Sequence, residues 1–165
     1  MITGKGYPDL STRIFLHKLS TATTMDYFYV PIYALVDLDP DGLSIMCTYK
    51  YGSKPLAHEG DWTRVPDLEW LGVRSIEAFA TGNIEDSGLM AASVHQNEGL
   101  LHLTHRDRRK ATGMLSKQFV NEGGLNHELK RELQVMLMLN MKAEIEILES
   151  RDGGLASWLM ERLNT

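Results

Sequence analysis

A chain of 165 residues is long enough for one domain with a sizeable core and short for two. Its 43% hydrophobic and 24% charged content is that of an ordinary globular protein, and a net charge of −5 weighs against general nucleic-acid coating while leaving a local basic face open. The single cysteine, Cys47, excludes an internal disulfide, and the sequence contains neither a signal-peptide pattern nor an apolar run able to cross a bilayer.

The first residues, Met1-Ile2-Thr3, run into Gly4-Lys5-Gly6 with no leading element to pair or pack, the pattern expected of a fragment or a truncated gene product. Pro8 and Asp9 then open a predicted helix that reaches Leu19, with Leu10, Ile14 and Leu16 at roughly helical spacing. The threonine-rich Ser20 to Asp26 reads as a loop. Pro31 to Val36 is a short continuous apolar run, expected as a strand covered on both faces. It leads into Asp37-Leu38-Asp39-Pro40-Asp41-Gly42, and a second helix is expected from Leu43 to about Tyr51. Cys47 lies beside Ile45 and Met46 and reads as a buried structural thiol. Helix, buried strand, acidic loop and helix together predict an α/β fold with parallel strands.

Asp67 to Val73 alternates like a further strand, broken at Gly72, and Thr81 to Asn97 reads mostly as loop. Thr104 begins a helix, with Asp107 as the capping-box acid. Asn126 to Ser150 carries Leu129, Leu133, Met136, Leu137, Leu139 and Ile145, and predicts one long helix whose apolar stripe serves core or interface. Gly153-Gly154 ends it, and Leu155 to Leu163 makes a short final helix.

Three aspartates at alternate positions repel one another, and a hard cation bound by oxygen would relieve that repulsion. Strand ends are also where α/β folds place ligands. A solvated acidic turn built on Pro40 and Gly42 is the alternative. An EF-hand is excluded, because the position that needs its glutamate is Thr48 and the preceding segment reads as strand. Gly4-Lys5-Gly6 before a helix is a second candidate, for phosphate. Arg106, Arg108, Arg109, Lys110 and Lys117 form the dense basic cluster, either a solvated helix face or a phosphate contact. His95, His102 and His105 lack metal-ligand spacing.

The motifs carry a resemblance. Thr3-Gly4-Lys5-Gly6-Tyr7-Pro8-Asp9 with Thr12-Arg13 resembles a segment of the meiotic double-strand-break proteins, eukaryotic relatives of the topoisomerase VI A-type protein. Leu35 to Gly42, Tyr49-Lys50-Tyr51-Gly52-Ser53, Trp70-Leu71-Gly72, Leu103-Thr104 and Met141-Lys142-Ala143-Glu144-Ile145 match that family in the same order. The resemblance implies a Toprim-type parallel sheet flanked by helices with a helical C-terminal extension: a Toprim domain over 1–103, lacking its first strand, and a helical part over 104–165 packed on it. It implies magnesium held by Asp37 and Asp39, and Lys5 and Tyr7 facing double-stranded DNA. Asp41 stands where the family often has an aromatic residue or histidine. The family's metal-binding glutamate and nucleophilic tyrosine are expected upstream. None of Tyr7, Tyr27, Tyr29, Tyr33, Tyr49 or Tyr51 occupies the nucleophile's motif.

The activity implied is meiotic DNA double-strand-break formation in the nucleus, by a homodimer with a topoisomerase VI B-like partner and no membrane. A type IIB topoisomerase that relaxes duplex DNA, or a truncated DNA-binding protein without catalysis, are the alternatives.

Overall fold

The computed structural model describes residues 2, 6–25, 30–52, 60–79, 99–116, 127–151 and 153–164. They belong to a mixed α/β fold, mostly helical, with a small parallel sheet, consistent with the expected Toprim type. Lys5, Tyr27, Tyr29, His95, Lys117 and the stretch 81–97 lie outside the described residues. The chain divides into two units, Met1–Val36 with Leu43–Leu71, and Asp37–Gly42 with Gly72–Thr165.

In the first unit, α1 spans Leu10–Met25, six residues further than the sequence pattern predicts. The Ser20 and Thr21 hydroxyls donate to the His17 carbonyl at 2.8 and 2.7 Å, so these polar residues satisfy themselves within the helix instead of breaking it. Asp9 caps the helix start, accepting the Thr12 N–H at 2.7 Å. Arg13 is buried, and its Nη2 donates to Thr63 Oγ1 at 2.7 Å, tying α1 to a 3-10 turn at Asp61–Thr63. The regular strand β1 is only Tyr33–Ala34 and pairs in parallel with β2, Glu69–Trp70. The parallel pairing is as expected, but coverage of both faces is not: Tyr33 is exposed and Ala34 half-buried. Helix α2 spans Pro40–Tyr51, and its part from Leu43 on belongs to this unit. Gly52 follows in the left-handed region at φ 86°, and its N–H reaches the Thr48 carbonyl at 3.0 Å, closing the helix. Leu43, Met46, Cys47, Val65 and Leu68 are the buried apolar residues around this helix and the β2 approach.

In the second unit, β3 (Leu100–His102) pairs antiparallel with β4 (Met141–Ala143). Neither strand is foreseen by the sequence pattern. The long helix expected over Asn126 to Ser150 is instead α5 (His127–Leu139), β4 and a 3-10 turn at Ile145–Leu148. Asn140 causes the break: it sits at φ 56°, a left-handed conformation that asparagine tolerates and that ends a helix. Within α5 the spacing of Leu129, Leu133 and Met136 buries one face as predicted. Helix α3 (Ser75–Phe79) has its first N–H, that of Ser75, bonded to the buried Glu132 of α5 at 2.9 Å. Helix α4 (His105–Ser116) begins with the expected capping box: Thr104 N–H to Asp107 Oδ2 at 2.9 Å, and Asp107 N–H to Thr104 Oγ1 at 3.1 Å. Helix α6 spans Gly154–Leu163, one residue from the predicted start.

Candidate metal centre

The acidic segment is organised by a backbone bridge formed far away in sequence. Leu38 pairs antiparallel with Ala143, the Leu38 N–H reaching the Ala143 carbonyl at 2.9 Å and the reverse bond measuring 3.0 Å. Leu38 is fully buried, as is Ala143. Asp37 and Asp39 flank this buried residue, close enough for the charge of Asp39 to act on the Asp37 carboxyl.

Each of the two carboxylates is fixed through one oxygen. Asp37 Oδ1 accepts the Ile145 N–H at 2.9 Å. Asp39 Oδ1 accepts the Gly42 N–H at 2.5 Å, which makes Asp39 the N-cap of α2 and explains why that helix starts at Pro40, three residues before its predicted start. Gly42 is required by close approach: a Cβ there would lie 2.7 Å from the Asp37 carbonyl oxygen and 3.2 Å from Asp39 Oδ1. Burial pushes the Asp37 carboxyl above the usual range, and the charges of Asp39 and Glu146 add to this, against the Ile145 N–H and Lys142.

Cations surround the segment. Lys142, on β4, has its ammonium 3.8 Å from Asp39 Oδ2 and 3.2 Å from Asp107 Oδ2. Asp107 is itself buried; that burial would raise its carboxyl, but the Thr104 hydrogen bonds and Lys142 outweigh it and hold it below the ordinary range. Asp41 is engaged elsewhere, its Oδ1 accepting from Lys110 of α4. Lys142 is the residue that sequence reasoning missed. Its only signal is the motif match over Met141 to Ile145, which by itself assigns no role to the lysine.

The remaining candidates have surroundings of their own. Tyr7, in the first unit, is exposed and its hydroxyl donates to Ser44 Oγ at 3.2 Å. The N-terminal end of α1 that follows the glycine-lysine-glycine run already holds the Asp9 carboxylate, whose hydrogen bonds from Thr12 keep it ionised. Arg106, Arg108 and Arg109 are exposed on α4. Burial raises the phenols of Tyr49 and Tyr51, which disfavours the phenolate a nucleophile needs. The buried Cys47 thiol is pushed up to about 11 and is inert at neutral pH.

Among the described residues, no three His, Cys, Asp or Glu side chains gather as a metal-holding group. The Asp37–Asp39 pair nonetheless fits magnesium, a hard cation that takes one or two carboxylates and completes its octahedron with water and phosphate oxygens. Both donors are hard oxygens, and each carboxylate has only one oxygen committed to a backbone N–H.

The Toprim-domain family of the topoisomerase 6 A-type and Spo11 proteins matches residues 1–161. Meiotic recombination protein SPO11-1 of Oryza sativa subsp. indica is 41% identical over 150 residues, 91% of this chain and 34% of that protein. Meiotic recombination protein SPO11 of Homo sapiens is 37% identical over 148 residues, 90% of this chain and 32% of the relative. Meiotic recombination protein SPO11-1 of Arabidopsis thaliana is 36% identical over 148 residues, with 90% and 36% covered. The chain thus spans about a third of the length of the curated relatives it matches.

Proposed function

The chain belongs to the Toprim-domain family of topoisomerase VI A-type and Spo11 proteins, and from that premise we propose that it is the magnesium-holding part of a nuclear protein that makes meiotic DNA double-strand breaks. The observation that carries this reading is the Asp37–Asp39 pair, flanking the buried Leu38 and with each carboxylate anchored through one oxygen by the Ile145 and Gly42 N–H groups. The relatives are named as meiotic recombination proteins, which supports a role in recombination over relaxation of duplex DNA.

The reaction is a transesterification. A tyrosine oxygen forms a bond to the scissile phosphorus as the bond from phosphorus to the 3′ oxygen breaks, leaving the protein on the 5′ end and a proton on the released 3′ hydroxyl. The nucleophile is assigned to none of the described tyrosines; in a homodimer it would come from one protomer to meet the acidic pair of the other. Magnesium, when bound, orients the scissile phosphate and offsets the charge that develops on it. Asp37 and Asp39 are the residues that would hold it, pre-set by their backbone hydrogen bonds. Lys5, Tyr7 and the exposed arginines of α4 would contact the DNA backbone, and a topoisomerase VI B-like protein would be the partner.

Asp37→Asn in the full-length protein tests this. Covalent protein–DNA attachment, recovered after denaturation, should fall by at least about a hundredfold, the scale of losing a catalytic electrostatic group. Attachment at the level of the unsubstituted protein would remove the metal assignment. ATP-dependent strand passage by the reconstituted complex would instead identify a topoisomerase.

A further inference from the structure

Lys142 and a divalent cation would need the same atom. Asp39 Oδ1 is taken by the cap of α2, which leaves Oδ2 for a ligand, and Oδ2 is the oxygen that faces the Lys142 ammonium. The two contacts of that ammonium are unequal. At 3.8 Å the contact with Asp39 is too long for a hydrogen bond and is Coulombic only, whereas Asp107 is closer at 3.2 Å. Lys142, Asp39 and Asp107 side chains are respectively 17%, 17% and 6% exposed, so the three charges are poorly screened by solvent. Asp107 is held in place independently by the Thr104 N–H.

We infer that Lys142 is a positioning residue that acts as the resident cation of the site: it neutralises Asp39 in the metal-free protein and withdraws onto Asp107 when a divalent cation takes Asp39 Oδ2. The inference rests on the metal reading of Asp37 and Asp39. Asp107 then has a second task beyond capping α4, as the carboxylate that receives the displaced ammonium. Retention of Lys142 nearby weakens the hold on the metal ion. Even in a water-like dielectric, a single and a double positive charge about 6 Å apart correspond to about a tenfold loss of affinity, the smallest effect so poorly screened a site would show.

Mg2+ titration by calorimetry and Mn2+ titration by electron paramagnetic resonance on the whole chain read this directly, beside thermal melts in EDTA and in excess Mg2+. Lys142→Met should melt lower than the unsubstituted chain in EDTA, bind Mg2+ at least about tenfold more tightly, and recover most of the melting deficit in excess Mg2+. Lys142→Arg, which keeps the charge, should retain the original affinity. Asp107→Asn, which keeps an acceptor for the Thr104 N–H but no charge for the ammonium, should shift affinity the opposite way, weakening Mg2+ binding. Equal or weaker binding by Lys142→Met, or a melting deficit unchanged by Mg2+, overturns the role of Lys142 and reduces it to a packing contact. Should Lys142→Met fail to fold, unchanged or tighter binding by Asp107→Asn overturns it equally. An unsubstituted chain that binds neither ion removes the metal reading itself, and this inference with it; that outcome is distinct from binding that Lys142 does not influence.

Discussion

Asp39 and Gly42 are tightly interlocked in the acidic segment. Asp39 Oδ1 caps a helix, Oδ2 is the oxygen the proposed metal would take, and Gly42 packs against the Asp37 backbone with no room for a methyl group. Gly42→Ala should therefore cost about 1–3 kcal/mol of stability as an overpacking change, and should weaken Mg2+ binding because the atom it displaces belongs to Asp37. Denaturant melts alongside metal titration would check both. Glu77 offers a test independent of the metal. Its Oε1 accepts from Arg162 at 2.5 Å and Trp158 Nε1 at 3.3 Å, and its Oε2 from the Arg74 N–H at 3.2 Å. Burial opposes ionisation of Glu77, yet these donors prevail and hold its carboxyl below the ordinary 4.5. The unfolded chain then binds the proton more readily. The stability Glu77 contributes is complete above pH 4.5 and is lost as the pH falls through the lower folded value. Glu77→Gln should cost about 1–3 kcal/mol at neutral pH and flatten the acid limb of a stability profile measured by urea melts.

Among the elements, a helix boundary is legible where a local signal marks it: α4 at its capping box, and α2 at its end before Gly52, though not at its start. Thr104 and Asp107 announce α4 through a local pairing that needs no tertiary context, and the capping box forms as expected. The apolar stripe of Leu129, Leu133 and Met136 likewise dictates the buried face of α5. The end of that helix is not legible, because the apolar period continues into β4 and only the left-handed turn at Asn140 separates the two. The turn also carries tertiary bonds, since the Asn140 carbonyl accepts the Leu103 N–H at 3.0 Å. Asn140→Val should destabilise the chain by about 1–3 kcal/mol, the scale of a strained left-handed backbone, while Asn140→Gly should be close to neutral by thermal melt. At the site, the spacing and the failed EF-hand match point to the three aspartates, and the choice of Asp37 and Asp39 among them comes from the family resemblance. Lys142 and the Ile145 N–H are out of reach, because side-chain spacing reveals neighbours along the chain but not a strand that arrives from elsewhere.

For the molecule as a whole, a net charge of −5 conceals an uneven distribution. Lys110 and Lys142 are engaged by carboxylates, whereas Arg106, Arg108 and Arg109 face solvent on α4. If these three arginines contact DNA phosphates, replacing all three with Ala should weaken duplex binding uniformly across sequences. The slope of log affinity against log salt should fall by about 0.9 for each lost phosphate contact. An unchanged slope in filter binding would assign them to a solvated helix face. The bridge from Leu38 to Ala143 has a consequence in time as well as space. The bond between Asp37 and Ile145 spans 108 residues, so a chain emerging from the ribosome carries its aspartates long before the strand that orders them. Built this way, the placement of Asp37 against Ile145 is withheld from the nascent chain until synthesis has passed β4.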